Sequence, residues 1–224
     1  MGTHWGYANH DGPEHWGELD PAYGLCRTGR QQSPVDITGA VHDSSIGPLG
    51  VAYKRTAVNV VNNGHTIQVD CDPSSQLVYE GRKYYLLQFH FHSPSEHLIE
   101  GRRFPMEAHF VHRSPLDDLA VIGVMLTEGA ENPVLASLWN QVPPEVGSMS
   151  GGTRINPADL LPFDIHFYAY TGSLTTPPCS EGVQWIVMKQ PLEVSRSQVE
   201  QFHELIGENA RPVRPLNDRL IREF

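Results

Sequence analysis

Two histidines stand one residue apart in an apolar stretch of the chain, Gln88-Phe89-His90-Phe91-His92. Strand side chains alternate between two faces, so His90 and His92 would project from the same side of a strand. Their Cα atoms would lie ~7 Å apart at a rise of ~3.3 Å per residue, which lets both rings reach one ion. The spacing therefore indicates metal binding, a task for which imidazole is well suited.

A second alternating run follows from Met106 to His112. In a strand, Glu107, His109 and Val111 would share one face, and His112 would lie on the other. If the two runs pair, His109 joins the first two histidines in a cup of three nitrogens with a fourth tetrahedral position open. Such a set is typical of a catalytic zinc site rather than of a closed structural one.

Two of the three histidines have a hydrogen-bond acceptor two positions earlier, on the same predicted face. Gln88 precedes His90, and Glu107 precedes His109. An acceptor that takes one ring N–H fixes the tautomer, so that the other ring nitrogen can face a metal. An isolated H-x-H pattern is more simply interpreted as core or surface histidines, and these acceptors favour the metal site instead.

Further motifs stand in a fixed order along the chain: His4-Trp5-Gly6-Tyr7, Gly12-Pro13-Glu14-His15-Trp16, Gln32-Ser33-Pro34-Val35-Asp36-Ile37, Asn62-Asn63-Gly64-His65, Ser95-Glu96-His97, Ser173-Leu174-Thr175-Thr176-Pro177-Pro178-Cys179 and Arg211-Pro212-Val213-Arg214-Pro215-Leu216. Together with the two histidine runs, this ordered set resembles an α-class carbonic anhydrase of the bacterial branch. The resemblance runs nearly end to end. It departs from the animal members at Ser93-Pro94, where those proteins carry Trp-Gly.

The resemblance implies an enzyme that hydrates CO2 reversibly to bicarbonate and a proton, through attack of a zinc-bound hydroxide on CO2. Zn2+ would be held by His90, His92 and His109. Carbonic anhydrase is itself the standard example of zinc that lowers the pKa of water to near neutrality. His97 and His112 match positions outside the ligand set, so neither is assigned to the metal.

The resemblance also implies roles around the metal. Thr175 would accept a hydrogen bond from the hydroxide and donate one to Glu96, and the carbonyl of Asn209 would orient His92. His65, in a predicted Asn-Gly turn, would carry the product proton to buffer, since an ordinary pKa of ~6.5 suits that task. From the residues alone, Val121, Leu174, Val183 and Trp185 are more simply interpreted as plain core. The predicted substrate-binding residues are Val111, Val121, Leu174, Thr176, Val183 and Trp185.

The chain length and the frequent glycines and prolines favour one β-rich domain. The chain has 224 residues, and its 20 glycines and 18 prolines divide it into short segments. The resemblance implies a single catalytic domain over residues 1–224, with a large twisted, mostly antiparallel sheet and short surface helices. The glycine-rich stretch Gly147 to Thr153 is expected to be a surface loop.

Local patterns predict eight strands and two helices. The strands are Ala57 to Val61, Thr66 to Val69, Gln76 to Tyr79, Lys83 to Phe91, Glu107 to His112, Ala120 to Leu126, Asp164 to Thr171 and Gln184 to Lys189. The helices are Pro133 to Gln141 and Ser197 to Ile206. Cis peptide bonds are expected from the resemblance at Ser33-Pro34 and Pro177-Pro178.

Charge and hydropathy limit the partners. The formal net charge is −10, which argues against a nucleic-acid partner. The chain has no apolar run near 18 residues, so no membrane span is expected. The predicted partner is the small-molecule substrate, CO2 or bicarbonate. The resemblance is compatible with a homodimer.

Three cysteines bear on the cellular compartment. Cys26 and Cys179 match the pair that forms a disulfide in bacterial members of the family, and Cys71 is left over. A disulfide that closes ~150 residues contributes on the order of 5 kcal/mol in the chain-entropy model. The bridge favours a periplasmic or secreted protein, although intracellular proteins of hyperthermophiles can also keep disulfides. Met1-Gly2, directly before the first motif, is expected to replace a removed leader peptide.

Two other functions compete with the enzyme. One is a catalytically silent carbonic-anhydrase-like binding domain, although such relatives typically lack ligand histidines. The other is a metal protein of the cupin type, which would give the motif from Ser173 to Cys179 no role. A silent domain should purify without zinc, and a cupin would be expected to prefer iron or manganese.

Overall fold

A large sheet of thirteen strands dominates the computed structural model, which describes residues 3–224. Met1-Gly2, the expected replacement of a leader, lies outside the described residues. The strands are β1 (Asp36–Ile37), β2 (Val41–His42), β3 (Gly50–Ala52), β4 (Thr56–Asn62), β5 (Ile67–Asp70), β6 (Gln76–Tyr79), β7 (Arg82–His92), β8 (Leu98–Ile99), β9 (Met106–Arg113), β10 (Leu119–Glu128), β11 (Gly147–Ile155), β12 (Phe167–Ser173), β13 (Glu181–Met188), β14 (Leu192–Val194) and β15 (Arg222–Glu223).

The strand order in the large sheet is β11-β4-β5-β7-β9-β10-β13-β12-β15-β2. Strand β14 pairs with β10, β3 pairs with β6, and β6 also pairs with β7. Most neighbours are antiparallel, but β10 runs parallel to β13 and β14, and β15 runs parallel to β2. Strands β1 and β8 form a separate parallel pair. The prediction of a large, mostly antiparallel sheet is confirmed.

Short helices lie outside the sheet: α1 (Trp16–Leu19), α2 (Leu25–Thr28), α3 (Pro133–Trp139) and α4 (Arg196–Ile206), with 3-10 turns at Asn9–Asp11, Pro21–Tyr23 and Pro157–Leu160. The side chain of Asn132 caps α3 by accepting hydrogen bonds from the first turn. Ser195 and Gln198 form a capping box at the start of α4, and Gly207 follows its end. Among the described residues, every helix is too short or too polar to span a bilayer.

All eight predicted strands are present, and their ends shift by at most three residues. Two starts shift by three residues, that of β12 from Asp164 to Phe167 and that of β13 from Gln184 to Glu181. The Asp164 carboxylate accepts a hydrogen bond from the backbone N–H of His166 at 3.0 Å, which forms a local turn before the strand can begin. Cis peptide bonds occur at the two predicted positions and also at Ser93-Pro94.

The prediction of a loop from Gly147 to Thr153 is wrong, because this stretch belongs to β11. Strand β11 is the edge of the sheet and pairs antiparallel with β4, with an irregularity between Ser150 and Arg154. Its side chains from Gly147 to Ser150 are exposed, so no alternation of apolar residues marks it. Backbone pairing and a hydrogen bond from Ser150 Oγ to Asn59 Oδ1 at 2.8 Å hold the strand in place.

The main hydrophobic core lies on the face of the sheet opposite to the paired histidines. Phe89 and Phe91 alternate with the histidines along β7, and both are fully buried. Helix α3 covers this face, with the Trp139 ring 5.0 Å from that of Phe91. Burial of one such aromatic side chain is worth roughly 1.5–3 kcal/mol. The aromatic residues therefore fix the strand, and the strand directs His90 and His92 to the other side.

Candidate active site

The pairing of β7 with β9 brings the three predicted metal ligands together. His90 lies directly opposite His109, and His92 lies two residues further along the same face of β7. One ring nitrogen of each histidine lies within 4.8 Å of the corresponding nitrogen on the other two. His92 and His109 are each only 1% exposed. The sheet register thus builds the cup that the alternation predicted.

Each of the three rings donates one N–H to a backing acceptor: His90 Nδ1 to Gln88 Oε1 at 2.8 Å, His92 Nδ1 to Asn209 O at 2.7 Å, and His109 Nε2 to Glu107 Oε1 at 2.8 Å. These bonds leave the opposite nitrogen of each ring without a proton and turned to the common centre. His92 Nε2 is buried and has no hydrogen-bond partner among the described residues. An orphaned buried nitrogen in a set of three fits a metal ion as the missing partner.

The electrostatic surroundings favour the neutral ring, the form that ligates a metal, at His90 and His92 but not at His109. Burial, together with the neighbouring rings of His92 and His109, lowers the pKa of His90 well below its ordinary value. Burial also lowers the pKa of His92. Burial pulls the pKa of His109 down as well, but the Glu107 carboxylate outweighs it and raises the pKa.

Glu107 is a fully buried carboxylate that accepts four hydrogen bonds. Its Oε1 accepts from His97 Nδ1 at 2.7 Å and from His109 Nε2 at 2.8 Å. Its Oε2 accepts from the backbone N–H groups of Glu96 and His97, both at 2.9 Å. Burial alone would raise the pKa of Glu107, but the two histidines hold it well below its ordinary value. Gly123 leaves room for the carboxylate, because a Cβ there would lie 3.0 Å from Oε1.

His97 has a role that the sequence did not indicate. Its Nε2 lies 2.6 Å from the hydroxyl of Tyr170, which lies 2.8 Å from Ser33 Oγ. His97 therefore joins Glu107 to a buried polar chain that reaches the N-terminal segment. The partners are far apart along the chain, so no local pattern could reveal the link. The one available signal was the position of His97 directly after Glu96 in its motif.

Glu96 lies at the inner end of the cup and is fully buried. Its Oε1 accepts a hydrogen bond from the backbone N–H of Arg211 at 2.8 Å. Its Oε2 has no hydrogen-bond partner among residues 3–224, and lies 3.5 Å from His92 Nε2 and 3.8 Å from His109 Nδ1. Thr175 is buried too, but no hydrogen bond joins its hydroxyl to Glu96 in the described structure. The predicted pairing of these two side chains is therefore not formed, and Glu96 Oε2 is available to accept it.

His65 is half-buried and lines a cleft of about 130 Å3 together with His90, His92 and Thr176. Its ring stacks on that of Trp5, with centroids 3.9 Å apart and planes 9° apart. Partial burial, and then the nearby His4, lower the pKa of His65 from its ordinary value. An imidazole in this position connects the cup with the solvent-exposed surface.

An apolar wall lies beside His109. Val121 pairs with Val111 on one side and with Trp185 on the other. The Trp185 ring lies 4.8 Å from that of His109. The predicted pocket residues that share this apolar cluster are Val111, Val121, Leu174, Val183 and Trp185. Thr176 differs from them, because it lines the cleft.

A disulfide joins Cys26 to Cys179, with the Cα atoms 5.0 Å apart. The predicted pairing is therefore present in the structure. Both cysteines are buried, and the bridge attaches the N-terminal segment to a residue four positions after Thr175. Cys71 is a free thiol, and burial raises its pKa to about 12. Cys71 is therefore a protonated, unreactive side chain near neutral pH.

Comparison with known proteins agrees with this geometry. A family model described as eukaryotic-type carbonic anhydrase matches residues 11–224. A carbonic anhydrase of Nostoc sp. is 48% identical, over 99% of this chain and 86% of the relative. Among solved structures, the α-carbonic anhydrase from Thermovibrio ammonificans in complex with the inhibitor sulfanilamide is 48% identical with a TM-score of 0.96, covering 99% of this chain and 100% of that one. A hyperthermostable carbonic anhydrase from a hydrothermal vent chimney is 45% identical with a TM-score of 0.97, at the same coverage.

Proposed function

Because the chain belongs to the eukaryotic-type carbonic anhydrase family, we propose that it is a zinc enzyme that hydrates CO2 reversibly to bicarbonate and a proton. The observation that carries this proposal is the cup of His90, His92 and His109. Three ring nitrogens lie within 4.8 Å of one another, and each ring is fixed by a separate acceptor. Three neutral nitrogen ligands are the donor set of a catalytic zinc site.

The three histidines would hold the zinc ion, and the acceptors behind them would keep each ring in the ligating tautomer. When bound, zinc supplies Lewis acidity that makes a hydroxide available near neutral pH, an effect for which carbonic anhydrase is the standard example. The acceptors contact the ligand rings and would not contact the metal; they are Gln88, Glu107 and Asn209. Loss of such an outer acceptor typically lowers metal affinity or activity by about 10–100-fold.

Thr175 and Glu96 would orient the nucleophile. Glu96 Oε2, a buried carboxylate oxygen without a hydrogen-bond partner in residues 3–224, is a strong acceptor for a hydroxyl. If the Thr175 hydroxyl donates to it, the threonine oxygen is left as an acceptor toward the metal centre. Oriented in this way, the threonine would direct the lone pair of the nucleophile to the carbon of CO2.

The wall beside His109 would receive the substrate. CO2 carries no charge and accepts hydrogen bonds only weakly, so an apolar surface is the suitable environment for it. Val121, Val183 and Trp185 are each 2% exposed, and they form such a surface next to the cup. Val111 and Leu174 are half-buried and pack against it, and Thr176 would contact substrate from the cleft side.

His65 would move the proton that each hydration releases. It lines the cleft with two of the three ligand histidines, and its ring stacks on Trp5, which lines the same cleft. No hydrogen bond to the ring of His65 is found among the described residues, so its ring nitrogens are free to accept and release a proton. Its lowered pKa makes it quick to release a proton to buffer at neutral pH.

The silent binding domain is not favoured, because all three ligand histidines stand together with Glu96 and Thr175. Membership of the carbonic anhydrase family also removes the cupin alternative. The two functions still differ in a direct measurement. An enzyme purifies with about one zinc ion per chain and turns over CO2, whereas a silent domain does neither.

Stopped-flow CO2 hydration is the test, on protein loaded with zinc and on protein treated with a chelator. We expect fast turnover that the chelator abolishes and added zinc restores. Sulfanilamide should inhibit, as it does the relative from Thermovibrio ammonificans whose structure contains it as an inhibitor. Folded, zinc-loaded protein that gives no turnover would contradict the proposal and support the binding domain.

The disulfide indicates an oxidising environment, and we extend the proposal to a periplasmic or secreted location. The bridge spans 153 residues of chain, which corresponds to about 5 kcal/mol in the chain-entropy model. Reduction should therefore lower the melting temperature, and unchanged stability and activity after reduction would contradict the structural role. A homodimer stays a prediction, which light scattering on the purified protein would test.

A further inference from the structure

Arg211 is a fully buried arginine beside the site whose side chain contacts no carboxylate among the described residues. Its Nη1 donates to Gln32 Oε1 at 2.9 Å and to Ser33 O at 2.8 Å, and its Nη2 donates to Cys26 O at 3.0 Å. The guanidinium also lies 5.7 Å from the centre of the Trp16 ring. Burial lowers its pKa to about 10, which leaves it charged at neutral pH. A buried charge without an ion-pair partner among residues 3–224 is costly, so the hydrogen bonds of its guanidinium must offset that cost.

The backbone next to this side chain holds two groups of the proposed metal centre. The N–H of Arg211 donates to Glu96 Oε1 at 2.8 Å. Two residues earlier, the carbonyl of Asn209 accepts from His92 Nδ1 at 2.7 Å. Residues 209–211 belong to no helix or strand, so no ladder of backbone hydrogen bonds fixes them. At one end of this segment, the backbone N–H of Asn209 donates to Ser93 O at 3.1 Å, and the Asn209 amide donates to two further carbonyls, both at 2.9 Å. At the other end, the guanidinium of Arg211 supplies three hydrogen bonds.

The N-terminal segment that accepts these bonds is tied to the loop that carries Thr175. The backbone N–H of Ser33 donates to Ser173 Oγ at 2.9 Å, and that of Ser173 donates to Ser33 Oγ at 3.1 Å. On the other side of the loop, Gln32 Nε2 donates to the carbonyl of Cys179 at 3.0 Å. The disulfide adds a covalent link at the same cysteine. Thr175 thus lies between two points that are joined to the partners of Arg211.

We propose that Arg211 is a positioning residue that fixes Glu96 relative to Thr175. Its backbone holds the Glu96 carboxylate, and its guanidinium holds the segment to which both ends of the Thr175 loop are attached. The inference rests on the proposed function, in which Thr175 must donate to Glu96 Oε2. Misplacement by about 1 Å of groups that must align can cost on the order of 100-fold in rate.

A double-mutant cycle tests whether Arg211 acts through this pair. Arg211→Lys keeps the charge but loses the fork that reaches three acceptors at once. In the zinc-loaded protein we expect it to lower kcat about tenfold while KM changes little. In the Thr175→Ala background the same substitution should cost less than about twofold, because its target is already absent. An equal cost in both backgrounds would overturn the proposal.

Amide hydrogen exchange gives a second readout that does not depend on activity. We expect Arg211→Lys to speed exchange in a peptide that contains residues 209–211, and to leave peptides from β7 and β9 unchanged. Arg219→Lys is the matched control. Arg219 donates to Gln32 O at 2.8 Å and to Thr171 O at 3.1 Å, but it has no bond to Glu96 or to residues 209–211. It should not speed exchange in that peptide.

The remaining outcomes also decide the question. If Arg211→Lys does not fold, Gln32→Met removes one acceptor of the guanidinium and carries the same cycle and exchange experiment. If the wild-type protein hydrates no CO2, the proposed function fails, and the exchange data alone decide the role of Arg211. Faster exchange confined to residues 209–211 supports the positioning role, whereas unchanged exchange, or faster exchange throughout the molecule, rules it out.

Discussion

The two sides of the site are built in different ways. On the strand side of the site, β7 and β9 carry His90, His92 and His109, and the strand register fixes their spacing. On the loop side of the site, Glu96 and Thr175 lie on segments without regular structure. Side-chain hydrogen bonds, the buried Arg211 and the disulfide hold those segments together.

This difference in construction corresponds to two requirements of the reaction, metal binding and orientation of the nucleophile. A metal cup needs a few fixed distances, which a backbone ladder supplies wherever residues of the right type alternate. Orientation of a nucleophile needs an angle between groups from distant parts of the chain, and only tertiary contacts supply it. We therefore expect changes on the strand side to remove the metal, and changes on the loop side to slow the reaction with the metal in place.

The largest expected effect is that of His109→Ala. Loss of one of three ligands should remove zinc and almost all activity together, because the remaining pair cannot complete a catalytic zinc site. Zinc analysis after dialysis and stopped-flow CO2 hydration would measure both. The matched control is His112→Gln, three residues along β9 on the opposite face, which should keep zinc and activity at pH 8. A His109→Ala protein that retains zinc and turns over would contradict the ligand assignment.

Thr175→Ala tests the loop side. We expect zinc content to stay at the wild-type level and kcat/KM to fall about 100-fold, a loss of about 2.7 kcal/mol in the stabilisation of the transition state. Thr175→Ser keeps the hydroxyl and should recover most of the rate. Loss of zinc in Thr175→Ala would contradict the expectation that the loop side affects the rate without affecting metal binding.

The strand side could be predicted from the sequence and the loop side could be recognised only by resemblance. Alternation along β7 and β9 gave the ligand face, and the acceptors Gln88 and Glu107 stood at the matching positions. No repeating pattern of apolar residues predicts that Glu96 lies beside His92, or Arg211 beside Ser33, because these contacts involve segments without regular structure. The edge strand β11 escaped prediction for a related reason, since backbone pairing rather than burial forms it.

His65→Ala should have a smaller effect, and one that depends on the buffer. In dilute buffer we expect turnover to fall by roughly tenfold, because the proton must then leave the cleft without a carrier. Added imidazole should restore the rate, and zinc content should not change. His42→Ala, an exposed histidine on the far edge strand β2, is the control. An unchanged rate in dilute buffer would remove His65 from the mechanism.

The smallest effect on the rate, and a distinct effect on stability, is expected at His112. This residue lies on the core face of β9 and is fully buried. Its Nδ1 donates to the carbonyl of Ala120 at 3.2 Å, and its Nε2 contacts the hydroxyl of Tyr53. Burial lowers the pKa of His112 to about 4. The opposite face of the same strand thus carries a histidine that stays neutral without any metal.

Acid should therefore weaken the folded state through His112. Between about pH 6.5, its ordinary pKa in the unfolded chain, and about pH 4, only the unfolded chain binds the extra proton, so stability falls as the pH falls. The full loss is on the order of 3 kcal/mol. Denaturant unfolding at pH 8, 6 and 4.5 would measure it. His112→Gln should have a flatter profile than wild type, while His10→Gln, at an exposed position, should not. Identical slopes for wild type and His112→Gln would contradict a role of His112 in acid unfolding.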